Sequence, residues 1–292
     1  MTGLLENFRT HEARHDGVRI HAVAGGDGPP LLLLHGYPQT HAMWHLVAPE
    51  LARDHTVVLA DLRGYGDSDK PAPVVDHYTK RAMAADQVAV MASLGFDRFA
   101  LVGHDRGARV AHRLTLDAPA AVSRVVFLDI VPTLHVFENV DRAVAAAHFH
   151  WFFLATGGGV PERMIGGDPE FWLRSFLTSV RPSSREFDPM AYAEYVRCFA
   201  DPAAIAATCA DYRAAAGVDL DHDTASRAAG ERVRCPALVL WGEHGAVARN
   251  NDVLDVWRRY ATDVTGTALP SGHFVAEEAP AQTTAALRDF LA

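Results

Sequence analysis

Cysteine is scarce: the 292 residues hold 3, at Cys198, Cys209 and Cys235, and no two form a Cys-x-x-Cys pair. A disulfide framework is therefore excluded, and reduced thiols in the cytoplasm are the expectation. No apolar run, such as that at Leu31–Leu34, approaches the ~20 residues that span a bilayer. Met1 to Gly17 holds no apolar core of the kind a signal peptide needs. Positive charge is also in deficit, with 27 Lys and Arg against 36 Asp and Glu and a net charge of -9. That balance disfavours nucleic acid and anionic membranes as partners. The 16 histidines are scattered, with no His-x-x-x-His pair on an obvious helix face, so spacing supports no metal site. Internal repeats and low-complexity tails are missing too.

What is present suits a globular enzyme with a large core, since 49% of residues are hydrophobic and 22% charged. Short apolar runs alternate with helical segments. Strands are expected at Val18–Ala24, Leu31–Leu34, Thr56–Ala60, Phe99–Val102 and Val125–Leu128, with a helix from Tyr78 to Leu94. The rhythm breaks between about Pro132 and His222, where aromatic and alanine-rich segments are interrupted at Gly157-Gly158-Gly159 and Pro182. It resumes with strands at Ala237–Gly242 and Val264–Leu269, and helices near Asn251–Tyr260 and Ala281–Leu291. This pattern predicts an α/β fold with a mostly parallel sheet flanked by helices. Its core would comprise residues 1–131 and 223–292, with a helical cap inserted at 132–222.

One stretch carries the chemistry. Leu101-Val102-Gly103-His104-Asp105-Arg106-Gly107-Ala108-Arg109 joins an apolar strand to a helix start. Strand, Gly-x-nucleophile-x-Gly, helix is the nucleophile elbow of the α/β-hydrolase fold. The residue at the tip is Asp, where most such elbows have Ser. A carboxylate is already ionised and can displace a leaving group from saturated carbon, forming an ester on the enzyme. Carbon–halogen bonds and epoxides are its natural targets.

Hydrolysing that ester needs a base, and in this fold the base comes last in the chain. His273, in Ser271-Gly272-His273-Phe274, stands after the final expected strand. The acid that orients it is expected at Asp129, at the tip of the Val125–Leu128 strand. Many hydrolases place that acid in a Gly-x-x-Asp after the next strand, but here that position is Gly245, and Glu243 sits too close to the strand end. His35-Gly36-Tyr37-Pro38 offers the Tyr37 amide to an oxyanion hole, with the Arg106 amide as the second donor. Arg106 and Arg109 crowd a helix start, where cations are unfavourable unless an anion binds. Their planar forks match a carboxylate, so the substrate is expected to carry one beside the attacked carbon.

Gly-His-Asp-Arg-Gly-x-Arg, the His-Gly-Tyr-Pro loop and the late Gly-His together resemble the fluoroacetate dehalogenases. The resemblance extends into the cap through His150-Trp151-Phe152-Phe153 and Asp211-Tyr212-Arg213-Ala214. It implies Asp105 as nucleophile, His273 as base and Asp129 as orienting acid. It also implies Arg106 and Arg109 at the carboxylate, and His150, Trp151 and Tyr212 at the halide. A homodimer needing neither metal nor organic cofactor, acting on a small haloacid and water, follows from the same resemblance. Ala108, where the family commonly has Gly, and Gly157–Gly159 depart from the pattern and leave the preferred halide, fluoride or chloride, open.

The nearest rival is an epoxide hydrolase, which shares the Asp elbow. It usually has an apolar residue or Trp after the nucleophile and two cap tyrosines, for which Tyr192, Tyr195 and Tyr212 are the candidates. A haloalkane dehalogenase lacks the arginine pair. A non-catalytic receptor of the same fold has no use for every catalytic part.

Overall fold

Leu31–Leu34 are wholly buried in a strand of a sheet covered on both faces, which is why they read as a continuous apolar run and not an alternation. The computed structural model describes residues 3–180 and 186–292. Pro182, one of the expected breakers, lies outside the described residues. The strands are β1 (Arg9–His15), β2 (Val18–Gly25), β3 (Pro30–Leu34), β4 (Thr56–Ala60), β5 (Phe99–His104), β6 (Val122–Leu128), β7 (Ala237–Gly242) and β8 (Val264–Leu269). They form one sheet in the order β1-β2-β4-β3-β5-β6-β7-β8. β2 is antiparallel to both β1 and β4, and every other neighbouring pair is parallel. After β3 the chain steps outward to β4, then returns to place β5 on the other side of β3. Ligand sites in open α/β sheets form at the carboxyl ends of strands where the order reverses in this way. Here those ends are Leu34 and His104.

The sequence missed β1. Arg9–His15 is polar and mostly exposed, an edge strand held by its hairpin with β2 and not by burial. The hairpin turns at Asp16 and Gly17, both at positive φ (48° and 79°). The helix expected from Tyr78 runs from Lys80 to Ser93, because Thr79 caps it through a hydrogen bond from the Ala82 amide. That expected near Asn251–Tyr260 is shorter, Val253–Arg258.

Among the described residues, eight helices, from Thr133–Glu138 to Val218–Ala228, lie between β6 and β7. The last of them runs through position 222, where the sequence reading ended the insertion. A continuous hydrogen-bonded helix offers no joint there. Gly158 and Gly159 take positive φ (73° and 70°) just before the helix Val160–Gly166. No described helix is long and apolar enough to cross a membrane.

The elbow itself is shaped by close backbone approach. Asp105 sits at φ 44° and ψ −112°, a strained conformation for any residue with a side chain. Gly103 and Gly107 permit it: a Cβ on Gly103 would lie 2.6 Å from Ala108 Cα, and one on Gly107 2.4 Å from the His35 carbonyl. Ala108 is wholly buried against this turn.

Candidate active site

The elbow projects Asp105 into a cavity of about 340 Å³ whose wall also carries Arg109, Asp129, His150, Trp151 and His273. Six residues scattered over the sequence thus meet because β5, β6, the loop after β8 and the helix Phe149–Ala155 all end there. Tyr37, Arg106 and Tyr212 do not line that cavity but form the layer packed against it.

Asp129 follows β6 at φ 49°, a second strained carboxylate. Its Oδ1 accepts the Gly242 amide at 2.9 Å and its Oδ2 meets His273 Nδ1 at 2.6 Å. Gly245, where a residue with a longer side chain would be expected in other hydrolases, leaves room for it. A Cβ there would lie 3.5 Å from Asp129 Oδ1. Glu243 is exposed and pairs with His244 at 3.2 Å. Burial lowers the His273 pKa, but its hydrogen bond to Asp129 and the charges of Asp129 and Asp105 outweigh it and raise the pKa above 6.5. A second histidine buttresses the first: His104 Nε2 and the His273 carbonyl lie 2.8 Å apart.

Asp105 Oδ2 accepts the Tyr37 amide at 3.0 Å. No such bond to this carboxylate runs from the Arg106 amide among the described residues. Burial pushes the Asp105 carboxyl up, yet His273, Arg109, His104 and Arg106 together hold it well below the usual carboxylate range. The Asp105 carboxylate is therefore ionised at neutral pH.

The two arginines are not equivalent. Arg109 gives Nη1 to the Val131 carbonyl (3.1 Å) and Thr133 Oγ1 (2.9 Å) and stacks over Trp151, 4.4 Å from the ring centroid. Its Nε is buried without a partner, and no described carboxylate lies within ion-pair distance. Burial pushes its pKa down to about 10. Arg106 is wholly buried, paired with Asp211 and stacked on the Tyr212 ring at 4.2 Å, with Nη1 unpartnered.

The three expected halide ligands cluster. The His150 ring lies 5.8 Å from that of Tyr212, and the Trp151 ring 6.5 Å from it. The Tyr212 hydroxyl is buried without a hydrogen-bond partner. An orphaned buried hydroxyl is costly unless a ligand takes it up. Burial pushes the His150 pKa well below 6.5, leaving a neutral imidazole with one N–H. Tyr195, by contrast, donates to Glu277 at 2.9 Å. His148, His244 and Arg249 line the cavity as well, and the sequence reading did not single them out, because loop and cap histidines carry no local signal.

His21, His41 and Asp61 are buried with one candidate ligand atom each, all within 4.8 Å of one another. Asp61 Oδ1 already accepts the His41 amide and faces His41 Nδ1, both at 2.8 Å, and Oδ2 accepts the Asp67 amide at 2.9 Å. These contacts make His41 and Asp61 a loop anchor, while His21 Nε2 is buried without a hydrogen-bond partner. His11 and His15 sit four apart, but on strand β1 and not on a helix; His11 bonds Ser93 and His15 bonds Asp86.

An Asp elbow at a sheet switch point with a late His and a carboxylate behind it defines a class, and comparison agrees. The chain belongs to the alpha/beta hydrolase fold family, whose model matches residues 29–280. It is 44% identical to a fluoroacetate dehalogenase from Burkholderia sp., over 99% of this chain and 95% of that one. The resemblance read from the motifs is thus borne out at the level of family. A soluble epoxide hydrolase from Corynebacterium sp. (strain C12) is 36% identical over 92% of each chain. An alpha/beta hydrolase of solved structure from Nostoc sp. PCC 7120 superposes with a TM-score of 0.96 at 52% identity, covering 98% of both chains.

Proposed function

We propose that the protein is a haloacetate dehalogenase converting a 2-haloacetate and water to glycolate, halide and a proton. The observation that carries this reading is the cation without a carboxylate partner, Arg109, on the same cavity wall as the ionised Asp105. A substrate carboxylate held at Arg109 Nε and Nη2, with help from Arg106 Nη1, presents its α-carbon to Asp105. An Asp105 oxygen forms a bond to that carbon while the carbon–halogen bond breaks. The departing halide receives hydrogen bonds from His150, Trp151 and Tyr212. His273, oriented by Asp129, then takes a proton from water as the water oxygen attacks the Asp105 carboxyl carbon. Charge on the carboxyl oxygen is met by the Tyr37 and Arg106 amides, the protonated His273 returns its proton to the glycolate oxygen as the ester bond breaks, and the regenerated Asp105 carboxyl releases the remaining proton to solvent.

One feature supports this over epoxide opening: Arg109 has no role in binding an uncharged epoxide. The helices between β6 and β7, from Thr133–Glu138 to Val218–Ala228, act as a cap over the site. Phe152, Val160, Met164 and Phe171 stand 41–65% exposed on neighbouring helices of that insertion, which supports a homodimer joined through it. The three free cysteines suit a reducing cytoplasm.

The test is to trap the ester. In His273→Asn, alkylation proceeds but hydrolysis stops, so mass spectrometry after chloroacetate shows a stable carboxymethyl adduct on Asp105. Unmodified Asp105 in the folded variant would refute the covalent route. Sedimentation of Phe152→Glu/Phe171→Glu tests the dimer: a monomer is expected, and a retained dimer places the interface elsewhere.

A further inference from the structure

Arg106 is held almost entirely by one residue. Its Nε donates to Asp211 Oδ2 at 2.9 Å, and its Nη2 to Oδ1 at 2.5 Å and to the backbone carbonyl at 3.0 Å. Asp211 lies on Pro202–Ala215, a helix of the insertion, whereas Arg106 opens the elbow helix of the core. A carboxylate gripped bidentately fixes the guanidinium plane but also cancels its charge. An arginine so neutralised is a poor anchor for an anionic substrate. The same Asp211 carboxylate also meets Lys80 Nζ and accepts the Tyr65 hydroxyl at 2.7 Å. Lys80 is itself 4% exposed, and it opens the core helix Lys80–Ser93. A lysine is rarely buried so deeply without a task. Its other acidic neighbour, Asp219, lies farther off, with Oδ2 3.7 Å from Nζ. Burial pushes the Asp219 carboxyl up, so it offsets the lysine less than Asp211 does.

We infer that Lys80 is a positioning residue for substrate binding: its Nζ meets Asp211 Oδ1, the oxygen that also accepts Arg106 Nη2, and so restores the positive charge that Asp211 would otherwise cancel. Arg106 can then be locked in place by a carboxylate and still present Nη1 to a carboxylate substrate as a cation. This rests on the reading of Arg106 as part of the carboxylate site.

The experiment compares kcat/KM for chloroacetate and for uncharged chloroacetamide in the full-length enzyme and three variants. Lys80→Gln keeps a hydrogen bond to Asp211 and removes only the charge. It should lower the chloroacetate-to-chloroacetamide ratio about tenfold, the worth of one charge-assisted contact. The loss should fall mainly in KM. Lys80→Arg, which keeps the charge, should hold that ratio to within about threefold of the wild type. An equal loss on both substrates in Lys80→Gln, or no loss, overturns the inference and leaves Lys80 a structural buttress. Lys80→Met stands in under the same criterion if the glutamine variant does not fold. Arg106→Leu separates the two levels of argument. If it spares the ratio, the placement of Arg106 at the carboxylate is wrong. If it lowers the ratio and Lys80→Gln does not, only the role of Lys80 falls.

Discussion

Replacing Arg109 by leucine should remove most of the enzyme's preference for an anionic substrate. The side chain is 5% exposed, so leucine fills a comparable apolar space against Trp151. Nη1 is committed to the Val131 carbonyl and Thr133 Oγ1, which holds the guanidinium plane before substrate arrives. The remaining edge, Nε and Nη2, is therefore preorganised for a two-point contact. Losing one charge-assisted bidentate contact costs about 1.5–3 kcal/mol. That corresponds to roughly a ten- to hundredfold fall in kcat/KM for chloroacetate. Arg109 is also among the groups that hold the Asp105 carboxyl down, but His273 precedes it, so the nucleophile stays ionised at neutral pH. The assay is steady-state halide release from chloroacetate and chloroacetamide, with circular dichroism to confirm folding. Chloroacetamide should lose several-fold less, and Arg109→Lys should fall between, keeping the charge but not the fork. Equal losses on the two substrates would refute a carboxylate contact and return Arg109 to packing against Trp151.

Other outcomes follow from the same geometry. Trp151→Phe should slow fluoroacetate about tenfold more than chloroacetate, because fluoride relies more on donors as it leaves and one donor is worth about 1.4 kcal/mol; parallel losses would make Trp151 a packing residue. The His273 pKa is raised above 6.5, and ester hydrolysis needs the neutral imidazole, so kcat should rise with pH through a midpoint above 6.5; a midpoint below it would contradict the Asp129 pairing. Gly36→Ala should abolish turnover while leaving the circular dichroism spectrum native, since its Cβ would lie 2.6 Å from Asp105 Cβ and 3.0 Å from His104 Nδ1. Near-native activity in that variant would show that the loop can yield.

The buried strands of the sheet and the elbow were legible in the sequence alone. Leu31–Leu34, Phe99–Val102 and Val125–Leu128 are apolar throughout because both faces of their strands are covered, a signal confined to adjacent residues. Gly103 and Gly107 around Asp105 are legible for the same reason: close backbone approach is demanded locally. The polar edge strand Arg9–His15 was invisible, since pairing with β2 and not burial makes it a strand. Tertiary structure decided what the charges do. Arg106 and Arg109 look alike in sequence, three residues apart on one helix. Only the docking of the helix Pro202–Ala215 gives Asp211 to one of them and leaves the other without a described carboxylate partner. Lys80 likewise reads as an ordinary helix start; it meets the partner of Arg106 because Asp211 is brought to it across 131 positions of chain. Electrostatics acts over a few ångströms in space, and sequence separation carries no record of that distance.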